Sequence, residues 1–128
     1  MLDHIAYPVA DIGKSKRFYA AALAPLSIAV VMEITAEQTG KDAHVGFGAN
    51  HKAFFWIGTG ARPSASVHVA FAAASRTQVD AFYRAAIAAG GKDNGAPGVR
   101  AHYHPDYYGA FVLDPDGNNV EAVCRTPV

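Results

Sequence analysis

The chain has one cysteine, Cys124, in 128 residues, which excludes an intrachain disulfide and any cysteine-rich zinc site. Cys124 reads as a small buried residue of the last strand. It has no surplus of charge either. Its 11 basic and 11 acidic residues balance, the pI is about 7.0, and no basic run offers a footprint for nucleic acid or an anionic membrane. No apolar stretch approaches the ~20 residues that span a bilayer. Met1-Leu2-Asp3-His4 lacks the basic flank and apolar core of a signal peptide. The expectation is a cytoplasmic protein whose partners are small molecules. No Ser/His/Asp order, phosphate-binding glycine loop or cysteine nucleophile is recognisable.

What the chain does have is an internal repeat. His4-Ile5-Ala6-Tyr7 returns 64 residues later as His68-Val69-Ala70-Phe71, and Phe18-Tyr19-Ala20-Ala21-Ala22-Leu23 returns at the same offset as Phe82-Tyr83-Arg84-Ala85-Ala86-Ile87. The expected organisation is one domain over 1–128, built from modules 1–60 and 65–128, with the Gly-, Pro- and Ser-containing segment from Gly58 to Ser66 as the link. A module of about 60 residues with one long helix would be marginal alone.

Each module reads βαβββ. Leu2 to Val9 forms the first strand, and Asp11 sits at the N-cap of a helix carrying Ser15, Phe18, Tyr19, Ala22 and Leu23, which Pro25 stops. Ser75, 64 residues after Asp11, is followed by Gln78 in capping-box spacing. The second helix puts Val79, Phe82, Tyr83, Ala86 and Ile87 on one face and ends at Gly90-Gly91. The remaining strands are expected at Ser27 to Ile34, Ala43 to Phe47, Ala53 to Ile57, Gly98 to His102, Ala110 to Leu113 and Asn119 to Cys124. Asp114-Pro115-Asp116-Gly117-Asn118 is the turn between the last two.

Strand alternation assigns side chains to faces. Ile5, Tyr7 and Val9 share an apolar face, and His4, Ala6 and Pro8 share the other. The second module repeats this with His68 and Ala70 opposite Val69 and Phe71, and Glu121 joins Asn119 and Val123 on one face of the last strand. A lone strand histidine is usually structural. Its repetition, with a strand glutamate near the end, points to a metal site of His4, His68 and Glu121. A buried carboxylate without a cation or proton would cost several kcal/mol. Phe54 and Trp56 read as an apolar cavity wall. The segment from His102 to Gly109 is dense in groups that transfer protons, and His104 is the candidate acid or base, weighed against an ordinary polar loop. Tyr103 and Tyr107 are candidate substrate contacts. His44 and His51 have no repeat partner and read as surface-loop residues.

These residues resemble the vicinal oxygen chelate superfamily, which contains glyoxalase I, bleomycin-resistance proteins and extradiol ring-cleaving dioxygenases. The likeness covers essentially the whole chain. It rests on the duplicated βαβββ pattern, the Asp11 to Tyr19 opening and Leu113-Asp114-Pro115-Asp116-Gly117-Asn118-Asn119-Val120-Glu121. It implies an α+β, glyoxalase-like fold in which both modules form a curved, cup-like mixed sheet with helices outside. It also implies metal ligands at His4, His68 and Glu121, with a fourth place near Trp56. Glyoxalase I enzymes carry there a glutamate that binds metal and moves a proton, and tryptophan does neither. Two histidines and one carboxylate are the set of extradiol dioxygenases and suit Fe(II). Phe111 stands where those enzymes usually have a tyrosine. Mn(II), Ni(II) or Zn(II) remain open. The resemblance therefore implies a divalent-metal enzyme acting on a small substrate chelated through adjacent oxygens, with ring cleavage favoured. A glyoxalase-like lyase or isomerase comes second, and a non-catalytic drug-binding resistance protein third. Such proteins often form homodimers.

Overall fold

The structure, a computed structural model, describes residues 1–128. Module 1 runs β1 (Ile5–Pro8), α1 (Ile12–Leu23), a single 3-10 turn over Ala24–Leu26, β2 (Ala29–Ile34), the short α2 (Ala36–Thr39), β3 (His44–Ala49) and β4 (Lys52–Gly58). Module 2 runs β5 (His68–Ala72), α3 (Arg76–Ala88), β6 (Lys92–Val99), β7 (Tyr108–Leu113) and β8 (Asn119–Cys124). Each module forms its own four-stranded mixed sheet, ordered β1-β4-β3-β2 and β5-β8-β7-β6. β1 and β5 are therefore equivalent edge strands, each parallel to the last strand of its module. No helix is long and apolar enough to cross a membrane.

The caps explain where the helices begin. Asp11 accepts from the Lys14 amide at 3.0 Å, and Ser75 accepts from the Gln78 amide at 3.2 Å. Gln78 reaches back one residue beyond the cap, to the Ala74 amide. α3 ends in a Schellman motif in which Gly90, at φ +99°, donates to Ile87 and Gly91 donates to Ala86. Gly91 has a second reason to be glycine, because a Cβ there would lie 2.4 Å from Val112 and 2.8 Å from Phe18. The inter-module packing of Phe18 passes over that position.

A single cluster of 21 buried residues draws on both modules, with α1 packed on α3 and Phe55 meeting Phe71 edge-on at 5.2 Å. Val79, Phe82 and Ala86 fill the buried side of α3, while Tyr83 is half-buried and Ile87 lies at its exposed margin. Cys124 is a buried free thiol. On the other face of each sheet, Ala6, Ala70 and Ala72 are exposed, so that face is free of helices.

Polar groups also cross the module boundary. The Tyr7 and Tyr19 hydroxyls are 2.7 Å apart, and Tyr19 donates to Asp114 Oδ2 at 2.5 Å. Asp114 also accepts from the Asp116 and Asn118 amides and from Asn118 Nδ2. One side chain thus shapes the β7–β8 turn, where Gly117 takes φ +83°, and holds the first helix.

Three segments differ from the sequence expectation. β1 begins only at Ile5. α2 arises from a complete Thr35/Gln38 capping box closed by Gly40 at φ +73°. The strand expected over Gly98 to His102 lies instead at Lys92–Val99, and residues 101–103 form a turn. β6 is an edge strand with register shifts at Gly95 and Gly98, which lets it hold Pro97 and hides any alternation.

Removing the Tyr19 hydroxyl strips a donor from buried Asp114 and a partner from Tyr7. Tyr19→Phe should cost about 1–3 kcal/mol in denaturant unfolding. Burial raises the Tyr7 and Tyr19 phenols above their ordinary value of 10.0, and the Asp114 charge raises both further. A raised acid stabilises the fold below its unfolded pKa and loses that contribution as pH climbs toward the folded one. Stability should therefore fall above pH 10, with these two phenols ionising only as the protein unfolds in an alkaline absorbance titration.

Candidate functional site

Strand register places the candidate residues. Ala70 of β5 pairs with Glu121 of β8, and Ala6 of β1 pairs with Trp56 of β4. Trp56 therefore occupies in module 1 the place that Glu121 occupies in module 2. The neighbouring strands follow the same logic, with Gly46 opposite Trp56 and Phe111 opposite Glu121. The indole covers Gly46 so closely that a Cβ there would lie 2.8 Å from it. Module 1 thus carries an aromatic wall where module 2 carries a carboxylate.

Glu121 is 1 % exposed although it lies on the helix-free face. Both its oxygens are satisfied: His68 Nε2 stands 2.9 Å from Oε1, and the Tyr107 hydroxyl donates to Oε2. With the carboxylate ionised, the His68 proton resides on Nε2 and points at it. Gly109 leaves room for this arrangement, since a Cβ there would come within 3.3 Å of Glu121 and 3.1 Å of Tyr107. Burial pushes the Tyr107 phenol up to about 12, helped by the hydrogen bond and charge of Glu121 and opposed by Arg125. Tyr107 is thus a proton holder at neutral pH.

His68 and Glu121 line a cavity of about 310 Å³ with Tyr103, Tyr107, Phe111 and Arg125. His68 also faces a second cavity of about 380 Å³, which spans the seam between β1 and β5 and includes His4 and Phe54. The structure therefore brings His68, Glu121, Tyr103 and Tyr107 together and places His4 and Phe54 across the seam. His4 Nδ1 is 2.8 Å from Asp3, whose other oxygen takes Lys52. Trp56 lines a separate recess with Ala6 and His44. His104 lies outside the cavity of Glu121, where its Nδ1 accepts from the Asp106 amide and caps the 101–106 turn. His44 stands in β3, and His51 forms the β3–β4 turn beside Asn50, both at positive φ.

The imidazole of His68 and carboxylate of Glu121 have the donor chemistry for a divalent ion, which would take the place of the contact between them. Within one chain no three His, Cys, Asp or Glu side chains converge. The fit is thus a two-donor one, and His4 is not its third member in this arrangement. Arg125 was not singled out by sequence reading. A signal existed, because alternation puts Glu121, Val123 and Arg125 on one face.

The model of the Glyoxalase/Bleomycin resistance protein/Dioxygenase superfamily matches residues 1–122. A glyoxalase/bleomycin resistance protein from Albidiferax ferrireducens T118 is 32% identical, with 98% of this chain and 99% of that one covered and a TM-score of 0.78. The chain belongs to this superfamily. The fold is shared with glyoxalase I from Zea mays, at 21% identity, 96% and 45% coverage and a TM-score of 0.70. The chain thus spans under half the length of the maize enzyme. A glyoxylase/bleomycin resistance protein/dioxygenase domain from Frankia sp. EAN1pec shares it too, at 14% identity, 97% and 96% coverage and a TM-score of 0.72. No curated protein sequence matches.

Removing the Tyr107 hydroxyl would leave a buried carboxylate oxygen unpaired. Tyr107→Phe should lower stability by about 1–3 kcal/mol, and the same substitution in an E121Q background should cost clearly less; a double-mutant cycle of unfolding free energies measures the difference.

Proposed function

We propose that the protein is a divalent-metal enzyme acting on a small substrate through two adjacent oxygens, with ring-cleaving dioxygenation as its reaction. The observation that carries this reading is the fully buried Glu121 carboxylate paired to His68 on an otherwise open sheet face. A carboxylate buried there costs several kcal/mol unless protons or a cation meet it. Two histidines and a carboxylate favour Fe(II), with Mn(II), Ni(II) or Zn(II) as alternatives. A bound ion would supply Lewis acidity and a template for the two oxygens. His68 and Glu121 would hold it, and His4 is the proposed third ligand.

Because His4 is engaged by Asp3 in the same chain, this reading expects a homodimer in which a second copy completes the donor set. Phe54, on the His4 side, and Tyr103 and Tyr107, on the Glu121 side, would flank the substrate. Trp56 contributes wall and no proton chemistry. A second reading has its own support: Tyr107, Glu121 and His68 form a continuous hydrogen-bonded path, which suits the proton transfers of a glyoxalase-like lyase or isomerase.

Elemental mass spectrometry on anaerobically purified, untagged protein tests the proposal. About one divalent ion per chain is expected, lost in Glu121→Ala and in His68→Ala; unchanged stoichiometry in His68→Ala would sink it. Iron accompanied by oxygen uptake with a catechol supports ring cleavage. A redox-inert ion shifts the weight to the lyase or isomerase. Protein that takes up no metal on reconstitution is a binding module.

A further inference from the structure

The cavity above Glu121 has two ends of different chemistry. The exposed His68 stands against the buried Glu121 carboxylate; Arg125, also exposed, has its guanidinium carbon 4.8 Å from the centre of the Tyr107 ring. Arg125 enters none of the ion pairs of the chain. The one carboxylate in the cavity, Glu121, is already engaged by His68 and Tyr107, so no acid in the cavity neutralises the guanidinium. A guanidinium resting on an aromatic face keeps its N–H edge free, and that edge matches a carboxylate in a two-point pairing.

The walls between the two ends are aromatic. The ring centres of Tyr103 and Tyr107 lie 5.0 Å apart, and those of His68 and Phe111 lie 6.3 Å apart. Arg100, which donates to the Ala96 carbonyl, sits 5.4 Å from the centre of the Phe111 ring, so a second positive charge lies next to a lining residue. A volume of about 310 Å³ accommodates one substituted ring.

We propose that this cavity binds a planar aromatic ring bearing a carboxylate, the carboxylate on Arg125 and the far edge of the ring toward His68 and Glu121. The proposal rests on the reading of His68 and Glu121 as the reacting end, and it narrows the substrate to an anionic aromatic.

Isothermal titration calorimetry with three probes, catechol, its carboxylated relative protocatechuate, and benzoate, tests this on the wild-type chain and on Arg125→Gln and Arg125→Lys. Protocatechuate is expected to bind at least about tenfold more tightly than catechol, a preference of the size a charge-assisted two-point pair provides. Arg125→Gln should erase that preference by weakening protocatechuate far more than catechol, and Arg125→Lys should keep only part of it. Equal binding of catechol and protocatechuate by the wild type would overturn the proposal, as would a preference that survives Arg125→Gln or the failure of every carboxylated probe to bind. Benzoate separates the two readings, having no adjacent oxygens. If benzoate binds through Arg125 while catechol fails to bind even in metal-reconstituted protein, the anion site stands and the chelation reading falls.

Discussion

Asp114 receives hydrogen bonds from two backbone amides of its own turn, from the Asn118 side chain and from the Tyr19 hydroxyl at the base of module 1. A carboxylate removed from water in this way would be costly with any of these donors missing. Fully satisfied, it ties the β7–β8 hairpin and the α1 helix to one position. The aromatic core around Tyr19, with Phe18 at 5.0 Å and Phe55 at 4.9 Å, supplies non-directional attraction. The hydrogen bonds select among the ways that core could pack. Asp116, in the same turn, adds a second tie by accepting from the Ala10 amide and from Arg62. How the edge strands β1 and β5 face each other, and hence the seam cavity between His4 and His68, depends on this junction.

The two modules share one scaffold and differ in what they hang on it. Each offers a parallel edge pair with an exposed alanine beside a variable position on the neighbouring strand. In module 1 that position is Trp56, whose indole is packed over Gly46 and is neither an acid nor a base. In module 2 it is Glu121, flanked by Phe111 and roofed by Tyr107. The paired strands hold His68 and Glu121 in fixed register, while the 100–107 loop brings in the tyrosines. That loop is closed by the Arg100 amide donating to Tyr107 at 2.7 Å and the Tyr107 amide donating to His104 at 3.0 Å. Chemistry mounted on strands and adjusted by a loop is a common division of labour, because strands are stiff and loops tolerate change.

Much of the fold was legible because it follows from local rules. The repeat set two βαβββ modules, the Asp11 and Ser75 caps and Gly90-Gly91 marked the helix ends, and Asp114 to Asn118 marked the last hairpin. Where local rules are silent, reading failed. β6, Lys92–Val99, carries the turn-favouring Asp93, Asn94, Gly95, Pro97 and Gly98 and exists because β7 offers it a partner. Side-chain alternation grouped His68 with Ala70 on β5 and Glu121 with Asn119 and Val123 on β8, and the second of these faces extended by two residues includes Arg125.

The sequence by itself determined the module repeat, most element boundaries and the face on which each strand residue lies, since these depend on neighbours a few residues apart. Tertiary structure alone decided which of those faces meet. It joined Tyr107 to Glu121, left His104 in its own turn, held His4 with Asp3 and set Arg125 over Tyr107. Such pairings join side chains whose approach is set by how strands, loops and the two modules pack together, and no short-range pattern carries that information.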